Sequence, residues 1–314
     1  MPNWVFNTLD GYSKELHDKY KSDDIDIDFN KIIPEPEEIT NTPSGNYNRI
    51  AKNICAYKEF IKENKPSDYK NPLADEVKNL ANRTTTRMGE LAIENPDKSL
   101  NVILEDPENS SAKHRYDEYV SIFGNKSYYN SDKDKVYDNY CKFQEESFQK
   151  AKEHHKEKDF TTGIESYDSL EHLGKTLINL EEKYGFDNWY DWRNANWGTK
   201  WNACHAEYDE ESQNLRFDTA WSVPEPILAK IAEDNPNANI DVYSEEETGW
   251  FNEYTIKDQK LYLNATGEIT WDEDSDQTTE QRTIIDPPEK HTFEEIRDVR
   301  VKEWTNIMRG CGTF

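Results

Sequence analysis

A chain of 314 residues with net charge −26 and 12% Trp, Tyr and Phe is long enough for two domains, or for one domain with a large insertion, around an aromatic core. The charge disfavours general affinity for nucleic-acid phosphates in the absence of a local basic patch, and suits a partner with a basic surface. Cys55, Cys141, Cys204 and Cys311 lack C-x-x-C spacing and read as reduced thiols; with no signal-like start at Met1-Pro2-Asn3-Trp4 and no long apolar run, a cytosolic chain without a membrane role is expected.

In chain order, residues 3–9 have strand composition, and Asp10 opens a helical pattern through Tyr20. The acidic stretch from Asp23 to Phe29 alternates as a strand would, and its charges fit a loop or helix end equally well. Residues 29–38 predict a short apolar strand stopped by Pro34 and Pro36. From about Tyr47 to Phe160 the period turns helical. Ile50, Ile54, Tyr57 and Ile61 make one stripe, and Leu73, Val77, Leu80 and Met88 to Leu91 a second. Tyr116, Tyr119, Val120 and Phe123, then Val136, Tyr140, Phe143 and Phe148, extend the pattern, and the mixed charges from Lys142 to Lys158 read as a solvated helix face.

Residues 168–184 predict a helix with Leu170, Leu173, Leu177 and Leu180 on one face and Gly185 at its end. Ala203 to Tyr208 and Leu215 to Trp221 read as strands, and a helix with proline in its first turn runs from about Ser222 to Glu233. Ile240 to Tyr243, Trp250 to Ile256 and Leu261 to Ala265 are further strands. Residues 267–290 read as an acidic, mobile connection, and Phe293 to Met308 as a last helix. Assembled, this order gives an α+β sandwich with helices on one face of a largely antiparallel sheet. The expected division is 1–46 with 165–266 as the α+β domain, 47–164 as a helical insertion, and 267–314 as linker and C-terminal helix.

Between residues 188 and 202 lies the densest aromatic stretch, with four of the nine tryptophans. Trp189, Trp192 and Trp197 share one face at helical spacing, and Arg193 and Lys200 are interleaved with asparagines. Two readings stand open: a structural knot in which these polar groups satisfy one another, or a recognition surface of hot-spot composition.

Catalytic patterns are sparse. The seven histidines form no H-x₃-H or HExxH arrangement. His154 and His155 point in different directions on a helix. Cys204 and His205, as strand neighbours, face opposite sides and cannot pair as nucleophile and base. No glycine-rich phosphate loop exists. No catalytic residue, metal or cofactor is implied, and the chain is not read as an enzyme.

Met1-Pro2-Asn3-Trp4, the segment from Phe29 to Glu38, Tyr184 to Trp192, Asn196 to Trp201 and Phe217 to Pro224 together resemble the YubB-like, Api-type proteins of phages and conjugative plasmids. The resemblance covers the first 45 residues and roughly 165–257. It implies a ferredoxin-like domain and a mobile-element protein in the bacterial host cytoplasm, and carries over no catalytic residue. The functional expectation is stoichiometric inhibition of a host anti-phage defence complex, of a nuclease kind such as Gabija, CRISPR or restriction systems. Contacts are expected at Trp189, Trp192, Arg193, Trp197 and Lys200 and at the acidic run Glu245, Glu246 and Glu247, which suits a basic partner. Self-association into a homo-oligomer is compatible with the chain. The alternative is a nucleotide- or nucleic-acid-binding protein whose Trp-rich site stacks bases.

Overall fold

The computed structural model describes residues 3–63, 70–124, 126–158, 162–272, 279–286 and 291–292, with side chains through residue 269. Strand β1 (Trp4–Asp10) is followed by helix α1 (Lys14–Tyr20), whose N-cap Ser13 accepts the Leu16 N–H. The helix starts at Lys14 rather than Asp10 because Asp10 still pairs in the sheet with Asn214 and Asp241. Helices α2 (Phe29–Ile32) and α3 (Glu37–Thr40) stand where a strand was expected. Asp28 caps α2 by accepting the Asn30 N–H, and the buried Phe29 and Ile32 lie three residues apart, a helical spacing that the run of apolar residues concealed.

The chain continues through α4 (Asn46–Lys62), α5 (Ala74–Glu94), α6 (Leu100–Leu104), α7 (Ser110–Phe123), α8 (Lys133–Glu157), α9 (Leu170–Tyr184) and α10 (Trp189–Asn196). Then come β2 (Cys204–Asp209), β3 (Asn214–Ala220), α11 (Glu225–Asp234), β4 (Ile240–Glu246), β5 (Trp250–Lys257), β6 (Lys260–Asp272), β7 (Thr279–Asp286) and β8 (His291–Thr292). Two compact units result, one of residues 1–40 with 190–314 and one of residues 41–189.

The first unit is α+β. Its sheet runs β2-β3-β1-β4-β5-β6-β7, with β8 beside β6, and every pairing is antiparallel. Strand β1, helix α1, strands β2 and β3, helix α11 and strand β4, in spatial order β2-β3-β1-β4, give the ferredoxin-like arrangement with helices on one face. Period-two burial sets that face: Val5 and Leu9, Leu215 and Phe217, and Ile240 and Val242 are buried, and Phe29 of α2 meets Phe217 edge-on at 5.9 Å. The expected connection over 267–290 is largely strand, since β6 runs to Asp272 and pairs with β7. Its polar composition hid an edge hairpin, which needs fewer apolar residues than a central strand. The helix expected over 293–308 lies outside the described residues.

The second unit is helical. Ile54, Tyr57, Val77, Tyr137, Tyr140, Phe148, Leu170, Leu173 and Leu177 share one core, whereas Ile61, at the end of α4, is exposed. Helix α9, assigned above to the sandwich, packs here on α4. A side chain at Gly174 would collide with the Ala51 carbonyl, so glycine lets the two backbones approach. Gly185 ends α9 with φ 76° and donates its N–H to the Glu181 carbonyl at 2.9 Å, as its position predicts.

Candidate partner-binding surface

The Trp-rich stretch divides between interior and surface. Trp192 and Trp197 are 6% and 1% exposed and meet edge-on at 5.8 Å. The Trp197 indole N–H donates to the Ile33 carbonyl at 2.9 Å, and its ring also meets Phe29. Arg193 grips the Glu35 carboxylate with two hydrogen bonds, Nε to Oε1 at 2.9 Å and a terminal nitrogen to Oε2 at 2.6 Å, and its guanidinium lies 4.9 Å from the Trp197 ring centre. Asn202 accepts the Phe29 N–H and donates to Asp28. These groups hold α2 and α10 under the sheet. As contact residues, Trp192, Arg193 and Trp197 are therefore corrected: the aromatic surface is consumed by the core. Trp189 is half-buried, and its backbone N–H donates to Thr42 Oγ1 at 3.0 Å.

Lys200 lies at the boundary. Its ammonium sits 4.1 Å from the Trp201 ring centre and 5.5 Å from that of Trp221. Trp201 in turn lies 6.1 Å from Trp4, on the sheet face opposite the helices, where Phe6 follows two residues along β1. Phe6, Trp221 and Trp250 are 46%, 52% and 42% exposed. Trp221 adopts φ 74°, a region that bulky side chains avoid, while its N–H donates to the Asn3 carbonyl at 2.9 Å. None of the exposed Phe6, Trp221 and Trp250 lies in the Trp-rich stretch, so its spacing could not point to them. Strand alternation does place Trp4 and Phe6 opposite the apolar Val5 and Leu9.

The acidic run is anchored rather than loose. Glu245 faces Phe6 in the β1–β4 register and accepts the Tyr243 hydroxyl at 2.9 Å. Glu246 accepts from Asn3 at 3.3 Å and from the Thr248 hydroxyl at 2.9 Å. Glu247 exchanges bonds with Trp4, its carboxylate accepting the Trp4 N–H at 3.1 Å and its own N–H donating to the Trp4 carbonyl at 3.1 Å. Sheet pairing thus brings the three carboxylates to the end of β1 that bears Trp4 and Phe6, a juxtaposition of residues some 240 positions apart in sequence. Glu246 pairs with Val5 and so shares the helix-bearing face, where a pocket of about 200 Å³ opens between Val5, Trp221, Glu225, Ser244, Glu246 and Trp250.

Reactive groups are muted. A bulge in β2 overrides the strand alternation at Cys204 and His205: it turns His205, at φ 48°, onto Asp218 with an Nδ1–Oδ2 separation of 2.7 Å. Burial pushes the Cys204 thiol up, the reverse of what activates a nucleophile. Cys141 is pushed up to about 11 by the same cause. Among the described residues no three His, Cys, Asp or Glu side chains converge on a metal position, and no helix is long and apolar enough to cross a membrane.

No curated protein and no solved structure matches the chain. Residues 196–287, which run from the end of α10 through β7 and so include both the acidic run and the outer hairpin, match the family model described as the ferredoxin-like domain in Api92-like protein.

Proposed function

We propose that the protein is a stoichiometric protein-binding inhibitor of a host anti-phage defence complex, made by a phage or another mobile element and acting in the host cytoplasm. The observation that carries this reading is the gathering at one end of the sheet of Trp4 and Phe6 with Glu245 and Glu247 on the face opposite the helices, and of the exposed Trp221 and Trp250 with Glu246 around a pocket on the other face. Exposed tryptophans provide large rigid contact area, and fixed carboxylates select a basic counterpart such as a nuclease face. Because the carboxylates are already held by Asn3, Trp4 and Tyr243, little ordering is required when a partner docks.

The resemblance to phage and plasmid proteins supports the setting. Base stacking is the weaker reading: Trp192 and Trp197 are buried, and the exposed Phe6 is flanked in the sheet by Asp218 and Glu245, which repel phosphates. The test is titration of a reconstituted defence nuclease with the purified chain. A binding inhibitor abolishes activity at about one equivalent per site and travels with the nuclease in light scattering. Loss of activity at a small fraction of an equivalent would instead identify catalytic turnover.

A further inference from the structure

The helical unit holds a cavity of about 790 Å³ between α4, α5, α7 and α8, a volume typical of sites for small organic molecules. Arg49, Arg83, His114 and Arg115 line it, with Tyr47, Ile50, Leu80 and Phe143 as partly apolar walls. Arg49 is paired with Glu76. Glu118 accepts the Gln144 amide at 3.0 Å, and burial pushes its carboxyl up towards the neutral form. Arg83 and Arg115 make no ion pair with any described carboxylate. Its lining carries three guanidiniums, Arg49, Arg83 and Arg115, against two carboxylates, Glu76 and Glu118, a locally positive balance in a chain of net charge −26.

The interior of the cavity supplies the second observation. The side chains of Thr84 and Tyr140 line it, each 1% exposed, and neither hydroxyl has a hydrogen-bond partner among the described residues. A buried hydroxyl left alone is costly, and helical threonines ordinarily return theirs to a preceding carbonyl, as Thr85 does to Ala81. Burial also pushes the Tyr140 phenol up, which keeps it a donor at neutral pH. The groove therefore has anion-binding forks on its exposed side and two unpartnered hydroxyls just beneath its buried wall. Inorganic phosphate is too small to use both.

We propose that this cavity binds a small organophosphate of nucleotide size, with its phosphate on Arg83 and Arg115 and its polar body against Thr84, Tyr140 and the Phe143 ring. Guanidinium forks match phosphate oxygens in bidentate geometry. Nucleotides and sugar phosphates share this chemistry, and the titrants separate them. The experiment is calorimetric titration of the full chain with AMP, ATP, glucose 6-phosphate and inorganic phosphate at near-physiological salt.

The expected result is a dissociation constant below about 100 μM for one organophosphate and at least about tenfold weaker binding of inorganic phosphate. Tightest binding of AMP or ATP assigns a nucleotide site, and of glucose 6-phosphate a sugar-phosphate site. Arg83→Gln with Arg115→Gln, both on the surface, weakens binding at least about tenfold, and Thr84→Val weakens it about threefold or more. The inference is overturned if none of the four titrants binds below about 1 mM, or if the double arginine variant binds as the parent does. Neither outcome touches the tryptophan–carboxylate surface, because the probes and variants share none of its residues.

Discussion

The Arg193 guanidinium meets a Glu35 carboxylate that solvent does not reach, so removing either partner strands the other. Arg193→Ala is expected to cost about 3 kcal/mol in urea unfolding; a loss under about 1 kcal/mol would mean that Glu35 finds water or another donor. Trp221 carries a different kind of information. Its left-handed backbone is strained, and its ring is largely exposed, so the fold gains little from tryptophan there. Trp221→Gly is expected to leave stability unchanged or raise it by about 1 kcal/mol while weakening partner binding at least about tenfold. A melting point well below the parent's would return Trp221 to a structural role. The spacing of Trp189, Trp192 and Trp197 signalled a helix face, yet nothing in the sequence told burial from contact. What decides it is Ile33, whose carbonyl receives the Trp197 indole from 164 residues away.

Helices α4 and α9 are joined by a polar clamp as well as by apolar packing. Lys58 of α4 and Lys175 of α9 both donate to Glu171, whose carboxyl is drawn down to about 2 by these two hydrogen bonds. A carboxylate with a lowered value stabilises the fold above its ordinary range, near 4.5, and that contribution disappears as pH falls through about 2. Glu171→Gln should therefore lower stability at pH 7 by about 1 kcal/mol, reduced by solvent screening, with the difference from the parent closing between about pH 4.5 and 2. A difference that persists at pH 2 would assign it to packing. Gly174→Ala tests the same contact sterically and should cost about 2 kcal/mol, read from thermal unfolding. Elements with a long period were legible: the leucines of α9, its Gly185 terminator and the strands β2 to β5 follow from spacing and turn residues. The segment over 29–38 was not, because four-residue helices have too few positions to display a period, and caps such as Asp28 decide them. Hairpin β6–β7 was hidden by composition, since an edge pair draws on backbone hydrogen bonds more than on side-chain burial.

For the molecule as a whole, a ferredoxin-like sheet interrupted by a helical unit between its first and second strands brings distant residues into register. Trp4 lies near the start of the chain and Glu247 directly after β4, 243 positions away, yet they share two hydrogen bonds. That convergence could not be read before the strand order was known, even though both the acidic run and the amino-terminal strand were visible. With a net charge of −26 the chain presents carboxylates almost everywhere, so only their fixed positions, Glu245 and Glu247 beside Phe6 and Trp4 and Glu246 beside Trp221 and Trp250, make these three distinctive. The most direct test is comparative capture from phage-infected host extract, using the parent and the variant Glu245→Lys, Glu246→Lys, Glu247→Lys, with mass spectrometry and a light-scattering mass for each complex. The account predicts a host nuclease or defence subunit near one-to-one with the parent and at least about tenfold depleted with the variant, which keeps the parent's circular dichroism. Equal recovery of that subunit by a folded variant would contradict it.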